Sequence, residues 1–142
     1  MTEITFYTFA DDPLDVARRV AAKAYGQGKQ VMIYAPDATS AAAIDRLLWT
    51  TPALGFVPHC RDGDALAGET PVLIGADANA LRQADVMINL HAEQPPAFAR
   101  FERVIEIIGQ DDAAREQGRA RYRFYQARGY ALKTHDLRQQ AG

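Results

Sequence analysis

Four short stretches of this chain are almost unbroken runs of apolar residues. They are QVMIYA (Gln30–Ala35), PVLIG (Pro71–Gly75), DVMINL (Asp85–Leu90) and VIEII (Val104–Ile108). A strand with one wet face alternates apolar and polar side chains; a run that stays apolar has no face to offer water. Such runs point to strands covered on both sides. The first strand, Ile4–Phe9 (ITFYTF), is rich in β-branched and aromatic residues. Between it and QVMIYA, Pro13 opens a helix whose apolar stripe is Leu14, Ala17, Val20, Ala21 and Ala24, and Gly26 and Gly28 stop it. Strand, helix and strand in that order make a βαβ unit with parallel strands.

The remaining elements keep the alternation. Pro36 and Asp37 lead into a helix over roughly Thr39–Thr50 with Ile44, Leu47 and Leu48 as its core face. Trp49 lies about 140° from Ile44 and about 100° from Leu48 around the axis, so it is expected on the flank. Phe56 and Val57 read as short strand material, Arg61–Thr70 as a polar loop and Ala78–Gln83 as a helix-like turn. Pro95 and Pro96 introduce a short helix carrying Phe98 and Phe101. Asp111–Gly129 is a long helix, Tyr130–Lys133 an edge strand, and residues 138–142 a frayed tail. The fold class is α/β: three layers, a mainly parallel sheet with helices on both faces, in one domain over residues 1–142.

Composition narrows the function classes. The chain has 142 residues, enough to bury about two-thirds of the surface it exposes when unfolded. Its net charge of -2 argues against bulk nucleic-acid binding, which calls for a basic domain. A single cysteine, Cys60, rules out an internal disulfide and fits a reducing compartment. The N-terminus lacks a basic region followed by an apolar run, and no apolar run approaches the ~20 residues of a membrane span. A cytoplasmic protein is expected.

A catalytic set is hard to find. The first strand-to-helix turn, FADDPLD, has no glycine and three acids, so it repels phosphate, and neither GxGxxG nor GxxxxGK[ST] occurs. His59, His91 and His135 are scattered, and His59 and Cys60, as neighbours on an extended chain, point to opposite sides. No metal site, cofactor or catalytic residue is expected. The rival reading is an α/β nucleotide-binding protein or enzyme with its site at the strand C-terminal ends, near Gly75 or near His91 and Glu93.

Two surfaces carry more aromatic or cationic character than a core needs. In DDAAREQGRARYRFYQARG, Arg115, Arg119 and Arg123 recur every four residues and form one row, with Tyr122 and Tyr125 close by and Ile108 at the end of the preceding strand. Stacked cations repel one another by a few tenths of a kcal/mol per pair, so the row is either a solvated face or a site for an anion. Asp111–Arg128 holds five arginines against three acids, +2 on a body of -4. Arg121 and Arg128 are read as plain surface charge. The second surface is LLWTTPALGFVPH, where Trp49 and Phe56 lie beside prolines. Trp and Arg are favoured anchors in protein interfaces.

The segments TFYTF, GKQVMIYAPD, LLWTTPALGFVPH and RARYRFYQARGYAL together resemble the chi subunit of the bacterial DNA polymerase III holoenzyme. That resemblance implies a non-catalytic adaptor of the clamp-loader assembly with two protein partners. A psi-type subunit would bind at Trp49, Pro52, Phe56 and Pro58. The acidic C-terminal tail of single-stranded-DNA-binding protein would bind at Ile108, Arg115, Arg119, Tyr122 and Arg123. Nucleic acid would be engaged mainly indirectly. Direct single-strand binding through Arg119, Arg121, Arg123, Tyr122 and Tyr125 is the secondary possibility.

Overall fold

Every strand of the sheet runs parallel to its neighbours, which is why so few polar residues interrupt the apolar runs. The structure, a computed structural model, describes residues 2–50 and 55–140. Its strands are β1 (Glu3–Ala10), β2 (Val31–Tyr34), β3 (His59–Arg61), β4 (Val72–Gly75), β5 (Val86–Asn89), β6 (Arg103–Gly109) and β7 (Ala131–Asp136). They pair in the order β3-β4-β2-β5-β6-β1-β7, all in parallel register. The helices are α1 (Pro13–Gly26), α2 (Ala38–Thr50) and α3 (Asp112–Ala127).

Alternate residues of each run feed two separate cores. Val31, Ile33, Val72, Ile74, Val86, Ile88, Ile105 and Ile107 pack beneath α1 and α2. Met32, Leu73, Met87, Val104 and Ile108 face the other way, against Tyr125 of α3 and against Phe98 and Phe101. This is the expected three-layer arrangement, with a sheet that is wholly parallel. Capping follows the sequence. Asp12 accepts the Asp15 N–H at the start of α1, and Asp111 accepts the Ala114 N–H at 2.8 Å at the start of α3. Gly129, at φ +79°, takes the left-handed conformation that closes α3.

Three local expectations need correction. Phe56 and Val57 form no strand; the strand begins at His59. Gly55 before them has φ +98°, and Pro58 after them has no N–H to give a ladder. The turn expected over Ala78–Gln83 is a single 3-10 turn, Ala78–Ala80, because Leu81 is already extended. The segment with Phe98 and Phe101 is likewise one 3-10 turn, Phe98–Arg100, with both rings buried. A last 3-10 turn, Leu137–Gln140, follows β7, and Leu137 packs against the α1 side of the sheet. Among the described residues, no helix is long and apolar enough to cross a membrane.

Candidate functional site

The alternation on β6 decides which residues meet α3. Val104, Glu106 and Ile108 all project toward that helix, and α3 crosses close above Ile108. A side chain at Gly118 would bring its Cβ to 2.6 Å from Ile108 Cδ1, so the helix approaches this near only because residue 118 has none. Beside that crossing lies a pocket of about 290 Å³. Phe6, Thr8 and Phe9 line it from β1, Ile108 from β6, Thr134 from β7, and Arg115, Gly118, Arg119 and Tyr122 from α3. Tyr122 is fixed against Phe6, with ring centroids 5.3 Å apart.

Four of the five residues singled out on this side, Ile108, Arg115, Arg119 and Tyr122, therefore share one cavity. Arg123 is exposed and does not line it, although it continues the row along α3. The walls are mostly apolar and aromatic, with Thr8 and Thr134 among them; the cations stand at the mouth. Among the described residues, exposed Arg119 makes no ion pair, while Arg115 has only Asp112, at 4.0 Å. Such a mouth suits an anion attached to an apolar group.

Phe6, Thr8, Phe9, Gly118 and Thr134 are not among the site residues expected from the sequence. Gly118 left a usable signal, since a lone glycine inside a helical pattern marks close packing. Phe9 left none. Its backbone is left-handed, φ +58°, where β1 breaks register between Tyr7 and Ala10. That conformation costs a non-glycine residue roughly 1–2 kcal/mol. Two guanidinium groups approach its ring: Arg138 with Cζ 3.5 Å from the centroid, and Arg115 at 5.2 Å. Arg138 is held in turn by Asp136 through a two-pronged pair at 2.7 and 3.1 Å, and those hydrogen bonds keep the Asp136 carboxyl below the usual range.

Arg121 is not surface charge. It lies on the inner side of α3, 5% exposed, and donates from Nε to the fully buried Glu106 at 2.9 Å. Tyr125 also turns inward, and its hydroxyl donates to the same carboxylate at 2.7 Å. Asn89 donates to it from β5, and Arg121 further reaches the Ala92 carbonyl. Burial pushes the Glu106 carboxyl up; the Arg121 charge and the donated bonds pull against that. The overlooked signal was Glu106 itself, an acid in the middle of a buried run, which requires a partner.

The second surface lies at the β3 edge of the sheet. Ile44 and Leu48 of α2 are buried, while Trp49 is 58% exposed and Phe56 47%. The two rings are 5.2 Å apart, and both rest on buried His59, at 4.9 and 5.7 Å. His59 is anchored through Nδ1 to the Val57 carbonyl at 2.7 Å. Pro58 is half-buried beside them. Pro52 lies outside the described residues.

The strand C-terminal ends, where an α/β enzyme would keep its site, form a groove of about 420 Å³ between the starts of all three helices. Asp12, Asp37 and Asp111 already cap those starts and set negative charge where a phosphate would sit.

Residues 1–133 match the family model described as DNA polymerase III chi subunit, HolC. The DNA polymerase III subunit chi of Pseudomonas aeruginosa is 36% identical over 142 residues, covering 96% of this chain and 98% of that protein. That of Haemophilus influenzae is 32% identical, over 87% of this chain and 86% of its own. The Escherichia coli protein is 28% identical, over 94% and 97%. Among solved structures, the C-terminal domain of the DEAD-box protein Dbp5 aligns with a TM-score of 0.60 at 13% identity, over 96% of this chain and 89% of that one. The Pyrococcus furiosus Hef helicase domain aligns with 0.58 at 12%, over 76% of this chain and 27% of that one. At such identities the likeness is one of fold alone. With a family model matched over nearly its whole length and near-full-length relatives, this chain belongs to the DNA polymerase III chi subunit family.

Proposed function

We propose that this chain is a non-catalytic replication adaptor in the cytoplasm with two protein-binding surfaces. The pocket at α3 takes the acidic C-terminal tail of single-stranded-DNA-binding protein, through Ile108, Arg115, Arg119, Tyr122 and Arg123. The surface of Trp49, Phe56 and Pro58, with Pro52, takes a psi-type subunit of the clamp loader. The observation that supports the first part is one cavity with mostly apolar walls and exposed arginine at its mouth, Arg119 making no ion pair among the described residues. A chain end with a large apolar side chain and a free carboxylate has that same pairing of chemistries.

Magnitudes agree with a weak tether. A hydrogen bond to a charged group contributes about 1.5–3 kcal/mol, and burial of one large apolar side chain a similar amount. Once the entropy of association is deducted, about -8 kcal/mol remains, which is micromolar binding. Direct stacking of bases on α3 is less well supported. Of the side chains it would use, Arg121 and Tyr125 are buried and engaged with Glu106.

Titrating a fluorescein-labelled acidic peptide, ending in phenylalanine with a free carboxylate, tests the tail site by anisotropy. Arg119→Ala is expected to weaken it about tenfold or more at unchanged melting temperature. The wild-type affinity is expected to fall as salt screens the acidic residues. Equal affinity in the variant would remove the assignment.

A further inference from the structure

Among the described residues, Phe9 alone lines both the α3 pocket and the groove next to it. Its ring is thus the partition between them. On the pocket side stands Arg115; on the groove side stands Arg138, and Asp136 fixes that guanidinium in a planar fork. The groove beyond has the opposite character to the pocket. Asp11, Asp12 and Asp15 line it, and its two arginines are already paired, Arg19 with Asp15 and Arg138 with Asp136. A peptide running through the pocket would have to displace a ring held by two cations and continue into acid.

The geometry points to Phe9, backed by Arg138, as an end stop that makes the pocket selective for a chain terminus rather than for an internal acidic and apolar segment. The inference rests on the proposed tail site and adds the reason that site reads an end. The ligand's last side chain sits against Ile108 and Tyr122, and its carboxylate meets Arg115 and Arg119. The preceding acidic residues leave over the exposed Arg119 and Arg123 side of α3, away from Asp11, Asp12 and Asp15. The backbone at Phe9 is left-handed, at the point where β1 shifts register between Tyr7 and Ala10. Asp136 ends β7 and Arg138 lies in the 3-10 turn that follows it.

Two peptides separate a stop from an ordinary wall. One is the acidic peptide ending in phenylalanine with a free carboxylate; the other continues past the phenylalanine by a Gly-Ser dipeptide. The full-length wild type is expected to prefer the first by about tenfold or more, the scale of one charge-assisted hydrogen bond. Phe9→Gly keeps the backbone conformation and removes the ring. Arg138→Ala leaves the backbone alone and removes the backing. Each is expected to bring the preference to about threefold or less, with melting temperatures near that of the wild type. Arg138→Lys, which keeps the charge but not the planar fork, is expected to behave like Arg138→Ala. A wild-type preference retained in Phe9→Gly and Arg138→Ala overturns the end stop and leaves the tail site standing. A wild type that binds neither peptide removes the tail site and the stop together.

Discussion

Gly118 and Ile108 share a space too small for one more methyl group, and that contact shapes the floor of the pocket. Gly118→Ala gains about 1 kcal/mol of helix propensity and spends a similar amount in driving Ile108 off its rotamer. The two effects nearly cancel in stability. The displaced Ile108 then enters the pocket, so calorimetry is expected to show a melting temperature within a few degrees of wild type while peptide affinity drops several-fold. An unaltered affinity would show that the floor does not touch the ligand. The Glu106–Arg121 pair, by contrast, matters for stability. Arg121→Met strands a buried carboxylate and is expected to cost about 3–5 kcal/mol in urea unfolding, much of it recovered in the double variant with Glu106→Gln. The raised Glu106 carboxyl also fixes a sign. An acid that titrates higher when folded makes the native state bind more protons than the unfolded chain. Its contribution is greatest below the ordinary glutamate range and is lost as pH climbs to the raised value. Glu106→Gln should flatten that part of the profile, and a slope identical to wild type would contradict it. The row of Arg115, Arg119 and Arg123 marks only one face of α3, and Arg121 lies on the inner one. A charge inside VIEII was the clue to the opposite face.

At the scale of elements, two-sided burial made β2, β4, β5 and β6 legible, since water never imposes alternation on them. The same logic hides β3. His59, Cys60 and Arg61 form an edge strand of three residues with no apolar run to reveal it. Its role is to set His59 beneath Trp49 and Phe56, and only the fold brings those three rings together. Trp49, placed on the α2 flank by its angle alone, is exposed there. Trp49→Ala is expected to abolish capture of a psi-type subunit in a pull-down while peptide anisotropy is unchanged. Loss of both activities in a variant that still melts cooperatively would refute the separation of the two surfaces. The pocket was legible only in part. α3 and the end of β6 could be read from spacing, whereas Phe9 depends on a backbone turn that no residue preference announces.

Across the whole molecule, the strand order puts these surfaces at opposite ends of the sheet. Trp49 and Phe56 sit at β3, and the pocket spans β6, β1 and β7. From β3 to β1 is five strand spacings, about 24 Å, with no side chain shared between the sites among the described residues. Effects of Trp49→Ala and Arg119→Ala are therefore expected to add in the double variant, to within about 0.5 kcal/mol on either partner. A larger coupling would mean that one partner senses the other through the sheet. The same strand order has a consequence for biosynthesis. Ile4 of β1 pairs with Val104 on one side and Leu132 on the other, so the pocket joins an element made before the Trp49 edge to elements made after it. A nascent chain can complete its Trp49 edge early, yet it holds β1 unpaired until β6 and β7 emerge. Translation stopped before β7 would yield a protein with a finished α2 face, an open β1 edge prone to aggregate and no place for an acidic tail.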